Sequence, residues 1–187
     1  MTVILVSQDV KTEYKMKEKS CAIMGPEPLK FPWGYDEEGE RCGALKLILL
    51  NMVNFCLVEK IKSFVVVLDA GIGLYAAEII SELKEKDSEI SLTCVVPWEE
   101  QAAKWPPDLR ERYYNVQARC DETETVSSHW TASCEVEAKL RAIDGTERVF
   151  AVRAKEEDTL LEVALHYARR TDKNVLIFDS EKIDFQN

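Results

Sequence analysis

Short apolar runs alternate along this chain with longer segments in which apolar residues recur at helical spacing. The runs at residues 65–68 and 175–178 are apolar without alternation, as in parallel strands that are covered on both faces. The strand predictions, taken from all such runs, are residues 21–24, 64–68, 90–96, 122–127, 148–152 and 174–178. The helix predictions are residues 40–59, 74–86, 108–118 and 159–170, with a weaker helical pattern at 131–145.

Repeated strand–helix–strand units predict an α/β fold, in which helices cover both faces of a mostly parallel sheet. The chain shows no low-complexity linker and no internal repeat, so residues 20–187 are predicted to form one domain. Residues 1–19 do not fit the pattern and are interpreted as an N-terminal extension. Within them, residues 3–7 form either an additional edge strand or part of a tail.

The charge balance narrows the classes of partner. Of the 187 residues, 34 are acidic and 24 basic, which gives a formal charge of −10. Nucleic-acid binding depends on basic residues that meet phosphates, so neither nucleic acid nor an anionic membrane is an expected partner. No continuous apolar run reaches the length of a membrane span, and a cytoplasmic protein is therefore predicted.

The six cysteines do not suggest a metal site. They are scattered, and no pair has the two- to four-residue spacing that zinc ligands usually show. Buried free thiols are the simplest interpretation, and disulfides are not expected in a reducing compartment. Asp69 and Asp144 are far apart in the sequence and do not show the spacing of metal ligands, so no metal site is predicted.

Two aromatic loops follow predicted strands, in the position where α/β proteins bind their ligands. The first contains Trp33 and Tyr35, and the second contains Trp98, Gln101 and Trp105. The aromatic rings form either a wall for a ligand ring or the packing that holds the loops to the sheet, and packing is favoured. Gln101 lies either at a pocket mouth or on a solvated helix face.

Three segments carry a resemblance to a known family. Residues 24–36 read M-G-P-E-P-L-K-F-P-W-G-Y-D, residues 67–78 read V-L-D-A-G-I-G-L-Y-A-A-E, and residues 96–105 read V-P-W-E-E-Q-A-A-K-W. An Arg112-Tyr113 pair follows. Together they resemble the bacterial YpsA-like domain of unknown function in the SLOG superfamily, named for Smf/DprA and LOG proteins. The resemblance implies a Rossmann-like three-layer fold and a nucleotide or nucleotide derivative as the expected ligand.

The chain departs from the family pattern at its phosphate-binding turns. Gly25 and Gly71 are retained, but the family's His-Arg pair is replaced by Pro26-Glu27. At the second turn the family's Ser-Gly is replaced by residues 67–68, and its acidic residue by Gly73. Glycines at such turns let main-chain amides approach a phosphate, and basic residues complement its charge. The replacements therefore predict weakened phosphate binding.

Two further turns show the same loss. The family's Arg-Asn aligns with Ala138-Lys139, and its last Gly-Gly-Thr turn falls near residues 159–161, after three consecutive acids. Glu78 is a candidate general acid/base, because LOG-type phosphoribohydrolases place a glutamate near a glycine turn. A glutamate near a helix start more often complements the helix dipole.

The sequence thus supports two hypotheses about function. The preferred one is a degenerate nucleotide-binding fold that acts as a binding or interaction module without efficient catalysis and without a resident cofactor. The alternative is an enzyme that cleaves an N-glycosidic bond in a nucleotide derivative. The ligand-binding candidates are Gly25, Trp33, Tyr35, Gly71, Gly73, Glu78, Trp98, Gln101 and Trp105. The expected partners are a small nucleotide-like ligand and a protein partner or a second copy of the chain.

Overall fold

The computed structural model describes residues 19–182, and the predictions for residues 1–18 lie outside this range. Six strands alternate with five helices. The strands are β1 (Ser20–Met24), β2 (Ser63–Val67), β3 (Ser91–Trp98), β4 (Glu122–Ser127), β5 (Arg148–Arg153) and β6 (Asn174–Asp179). The helices are α1 (Glu40–Val58), α2 (Ile72–Lys84), α3 (Pro107–Arg119), α4 (Cys134–Asp144) and α5 (Thr159–Arg170).

All six strands pair in parallel, in the order β4-β3-β2-β1-β5-β6. One hydrophobic cluster joins the sheet to α1, α2 and α3, and a second joins its opposite face to α4 and α5. The Rossmann-like three-layer α/β fold is therefore confirmed. The weak helical pattern at 131–145 is a helix, α4, because Ala138, Ala142 and Ile143 are buried against the sheet.

The strand order reverses at β1, whose neighbours are β2 on one side and β5 on the other. The connections from β1 to β4 progress in one direction, and the chain then crosses back to β5. At such a reversal the loops leave in opposite directions and open a crevice at the carboxyl ends of the strands. This edge of the sheet is where a ligand site is expected.

Helix α1 is the one helix of the described residues 19–182 that has the length and composition of a membrane span. It has 19 residues and a mean hydropathy of 1.5, so by length and composition it could cross a membrane. The sequence showed no uninterrupted apolar run because Lys46, Asn51 and Asn54 divide it. Within the fold, α1 is a crossover helix. Its sheet-facing residues are Cys42, Leu45, Leu49, Val53 and Cys56, all buried.

Candidate functional site

A cavity of about 390 Å³ opens at the carboxyl edge of the sheet, at the point where the strand order reverses. It is bounded by the loops that follow β1, β2, β3 and β5 and by the first turns of α4 and α5. The lining residues are Gly25, Glu27, Lys30, Val67, Asp69, Ala70, Pro97, Trp98, Gln101, Trp105, Glu135, Lys139, Glu157, Asp158, Thr159 and Leu160.

The N-terminus of α2 is occupied by a side chain of the loop that precedes it. Asp69 Oδ1 accepts hydrogen bonds from the main-chain N–H groups of Gly71 at 2.8 Å and Gly73 at 3.0 Å. The first amides of a helix have no partners within the helix and, with the helix dipole, form a ready site for phosphate. Here the protein's own carboxyl group takes two of these donors.

The N-terminus of α5 is closed in the same way. Asp158 is the residue before the helix, and its Oδ1 accepts a hydrogen bond from Leu161 N at 3.0 Å. Asp158 also lines the cavity, as does Glu135 in the first turn of α4. Burial, together with the negative charges of Glu27 and Asp158, raises the pKa of Glu135. Three helices thus present acidic side chains to the cavity where a phosphate would need free amides.

The charge of the lining follows from these residues. Five lining side chains are acidic, namely Glu27, Asp69, Glu135, Glu157 and Asp158, whereas two are basic, Lys30 and Lys139. Lys30 forms an exposed ion pair, with its Nζ 3.7 Å from Glu156 Oε2. The excess of acids disfavours an anionic ligand and favours a neutral or cationic one.

Asp69 is the most perturbed acid of the cavity. Burial raises its pKa to about 7, and the charge of Lys139 and the hydrogen bonds from Gly71 and Gly73 offset only part of this rise. Its second oxygen, Oδ2, is buried and has no hydrogen-bond partner in the described part of the chain. Asp69 therefore exchanges a proton near neutral pH, and Oδ1 can accept both amide hydrogens in either state.

The second aromatic loop forms one wall of the cavity. Trp98 and Trp105 line it, and Trp105 packs edge to face on Tyr113 with the ring centroids 5.2 Å apart. Gln101 is buried beside them, with Nε2 donating to Leu68 O at 2.7 Å and to Tyr113 Oη at 3.2 Å. The Gln101 amide nitrogen thus holds this loop to the main chain just after β2, and Trp98 and Trp105 of the same loop line the cavity.

The aromatic residues of the first loop, Trp33 and Tyr35, do not line the cavity. Trp33 stacks on Phe31, with centroids 4.7 Å apart, and packs against the core on the side of α1. Tyr35 is exposed on the surface. Neither ring is among the cavity-lining residues, so the structure places them as packing and surface groups of the loop.

The retained glycines are explained by close packing. A Cβ on Gly25 would lie 2.5 Å from Ile72 Cγ1, and a Cβ on Gly71 would lie 2.8 Å from Pro26 O. A Cβ on Gly73 would lie only 1.9 Å from Val67 O. Gly71 and Gly73 do not line the cavity. These glycines let α2 approach the sheet and the loop after β1, whether or not a ligand binds.

Glu78 lies outside the cavity and belongs to an ion cluster. Its two carboxylate oxygens accept hydrogen bonds from Arg112 Nε at 2.6 Å and Nη2 at 2.8 Å. Arg112 Nη1 also donates to Glu37 Oε1 at 2.8 Å, and Lys46 binds the other oxygen of Glu37 at 2.5 Å. The cluster joins the loop before α1 to helices α1, α2 and α3.

We expect Arg112→Met to destabilise the fold. Methionine keeps most of the aliphatic stem but leaves Glu37 and Glu78, with side chains 18% and 32% exposed, without their shared donor. The expected loss in the free energy of unfolding is about 1–3 kcal/mol, measured from the urea midpoint at unchanged slope. Arg119→Met on the same helix is the control, because Arg119 pairs with acids that are 65% exposed. It should cost less than about 1 kcal/mol, and equal losses would show that the cluster has no special role.

The remaining polar candidates do not form a metal or triad site. Within residues 19–182, no group of three or more His, Cys, Asp and Glu side chains could hold a metal ion. His129 and His166 are both exposed and lie outside the cavity lining. All six cysteines are free thiols.

The sequence predicts part of this lining, but it does not predict the role of Asp69. Gly25, Trp98, Gln101 and Trp105 line the cavity as candidates. The sequence presents Asp69 only as a possible metal ligand. Its position two residues after β2 and two residues before Gly71 is the available signal, since an aspartate there can accept hydrogen bonds from the amides that begin the helix.

Comparison with known proteins gives a family and two distant relatives. The YpsA model, described as the YspA SLOG family, matches residues 21–186. A UPF0398 protein of Oceanobacillus iheyensis is 28% identical over 103 residues, which cover 55% of each chain. A UPF0398 protein of Lysinibacillus sphaericus is 24% identical over 87 residues, 46% of this chain and 49% of the relative. The chain thus spans about half the length of the curated relatives it matches.

Proposed function

This chain belongs to the YpsA family of SLOG proteins, and from this premise we propose that it is a binding module whose cavity does not anchor phosphate. The ligand is a small molecule held by the lining of the cavity at the reversal of strand order. Efficient catalysis is not part of this function. The cysteines, all free thiols, support a cytoplasmic location as part of the same proposal.

The observation that carries the proposal is the pair of hydrogen bonds from Gly71 N and Gly73 N to Asp69 Oδ1. A phosphate at the start of α2 would have to displace a carboxyl group that is already in place and covalently tethered. It would also enter a lining with five acids and two lysines. Both effects oppose the anion, so the affinity that helix N-termini normally give to phosphate is not available.

A ligand that suits this lining has a flat ring and hydrogen-bond donors. Trp98 and Trp105 offer aromatic surface, and the five acids of the lining favour a ligand that carries N–H or O–H donors. The cavity volume of about 390 Å³ accommodates a compound of the size of a nucleoside. A neutral or cationic ring compound is therefore favoured over its phosphorylated form.

We expect a thermal-shift screen to separate matched pairs of compounds with and without phosphate. AMP, ADP-ribose and NAD should give no larger shift than adenosine, because the phosphate adds no favourable contact. A ligand at a hundred times its dissociation constant stabilises by about 2.7 kcal/mol, which is several degrees for a domain of this size. A larger shift with AMP than with adenosine would overturn the proposal.

Two Asp69 variants make this screen specific. Asp69→Ala frees the amides of Gly71 and Gly73 and should create measurable stabilisation by AMP. Asp69→Asn is the matched control, because its side-chain oxygen can still accept both amide hydrogens, and it should respond to AMP as weakly as the wild type. If neither variant gains a response, occupation of the amides is not what excludes phosphate.

One observation favours the alternative, an enzyme that cleaves an N-glycosidic bond. Asp69 has a pKa of about 7 and lies in the cavity, and a general acid/base works best when its pKa is close to the operating pH. In this candidate function Asp69 is the acid/base, since Glu78 is held by Arg112 away from the cavity. Base release from nucleosides and nucleotides that is abolished by Asp69→Asn and retained by Glu78→Gln would establish it.

A further inference from the structure

The outer surface of α1 is unusually poor in charge. From Cys42 to Val58 the only charged residue is Lys46, which is bound to Glu37. The whole chain is 31% charged, so a stretch of this length would ordinarily contain about five charged residues. Three large apolar side chains are nevertheless exposed on this helix: Leu47 by 56%, Phe55 by 46% and Val58 by 82%.

These exposed residues form one stripe along the helix. Leu47, Asn51, Phe55 and Val58 are separated by four, four and three positions, so they follow one face over three turns. The opposite face packs on the sheet. The Arg148 guanidinium lies over the Phe55 ring, 5.5 Å from its centroid, and the stripe has no charged residue of its own. A long stripe of this kind with exposed Leu, Phe and Val is a feature of surfaces that are covered by a partner.

We propose that this stripe is the contact surface between two copies of the chain, with the two α1 helices antiparallel about a two-fold axis near Asn51. The charges at the helix ends support this arrangement. The exposed pair Glu40 and Arg41 lies at the beginning of α1, and Glu59 and Lys60 follow its end. In an antiparallel pair Glu40, seven positions before Leu47 and so on the same face, lies near Lys60 of the second copy, and opposite charges meet. Glu59 is already bound to Arg148 of its own chain.

Other arrangements fit the stripe less well. A parallel pair would place Glu40 beside Glu40, and Lys60 beside Lys60, of the second copy, and so bring like charges together. Insertion into a membrane would require α1 to leave the sheet, because five of its residues form part of the core. Asn51 at the axis has a role in the antiparallel pair, since two amide groups can donate to and accept from each other and so fix the register.

The expected dimer is reversible. A helix of 19 residues is about 28 Å long, and one helix-to-helix contact of that length buries less surface than a standard stable interface. Association is therefore expected at micromolar concentrations. This inference does not depend on the proposed ligand, because no residue of α1 lines the cavity.

Sedimentation velocity of the full chain over a wide concentration range tests the proposal. The wild type should change from a 21.4 kDa monomer to twice that mass. Leu47→Glu places two buried charges in the contact and should weaken association at least tenfold. Val163→Glu, on α5 with a comparable exposure of 48%, is the control and should change it less than twofold. A monomer at every concentration, or a dimer that Leu47→Glu leaves intact, overturns the proposal.

Charge reversal and cross-linking test the orientation. Glu40→Lys and Lys60→Glu should each weaken the dimer, and the double variant should restore it. Asn51→Cys should give a disulfide-linked dimer under mild oxidation with copper–phenanthroline, at a yield well above that of the wild type. Failure of both the restoration and the cross-link overturns the antiparallel arrangement. If the chain stays monomeric in solution and binds to neutral phosphatidylcholine vesicles, the proposal is overturned, and the stripe contacts a membrane rather than a second copy.

Discussion

Gly73→Ala is expected to destabilise the protein by about 3–5 kcal/mol, a large part of the stability of a typical domain. The added Cβ would lie 1.9 Å from Val67 O and 2.9 Å from Val67 C. Both are main-chain atoms, so no side-chain rotation can relieve the clash. Helix α2 would have to withdraw from β2, although Leu74, Tyr75, Ala76 and Ala77 bury it on several sides. Overpacking against main chain in a dense core is costly because no rotamer relieves it.

The measurement is urea unfolding of Gly73→Ala beside Gly43→Ala. Gly43 lies within α1, and its added Cβ would meet nothing within 4 Å, so alanine should stabilise by about 0.5–1 kcal/mol through its higher helix propensity. The two substitutions add the same methyl group to a helix and should shift the midpoint in opposite directions. A loss below about 1 kcal/mol for Gly73→Ala would show that α2 does not lie against β2 as described.

Asp69→Asn is expected to make the free energy of unfolding less dependent on pH between pH 5 and pH 8. The folded state raises the pKa of Asp69 from 3.8 to about 7, so between these values the folded protein binds a proton that the unfolded chain has lost. Stability from this group is therefore present at low pH and declines as the pH rises through 7. Asparagine cannot ionise, and its oxygen can still accept the hydrogens of Gly71 and Gly73.

The expected size follows from proton linkage. Between pH 5 and pH 8 the free energy of unfolding of the wild type should fall by roughly 2–3 kcal/mol more than that of Asp69→Asn. The measurement is the urea midpoint of each protein at the two pH values. Asp108→Asn is the control, because it removes an exposed charge from the first turn of α3 and should cost a few tenths of a kcal/mol at both pH values. If the difference in unfolding free energy between wild type and Asp69→Asn is the same at pH 5 and pH 8, Asp69 is not protonated near neutrality.

The order and type of the elements could be predicted because each signal is local. The runs at 64–68 and 174–178 became β2 and β6, each displaced by no more than one residue. Helix α5 agrees fully, since Asp158 caps it and its apolar spacing is regular. The exposed stripe of α1 was not predicted, because apolar spacing alone does not tell which apolar residues a neighbouring element will cover.

The residues of the site could be predicted from the sequence only where they lie in a loop that follows a predicted strand. Trp98, Gln101 and Trp105 were found because they follow a strand end. The role of Asp69 was missed because α2 was predicted to begin at Leu74, whereas it begins at Ile72 and so brings Gly73 within the helix. The pairing of Glu78 with Arg112 joins residues 34 positions apart and depends on how α2 packs beside α3. Such contacts are set by tertiary structure rather than by local pattern.

In the proposed function, phosphate is excluded because Asp69 Oδ1 already holds the amide hydrogens that would bind it. A titration of the ¹⁵N-labelled protein with inorganic phosphate, followed by the amide resonances of Gly71 and Gly73, tests it directly. The account predicts that both resonances stay in place for the wild type and move for Asp69→Ala. Saturable movement of both wild-type resonances at millimolar phosphate would contradict it.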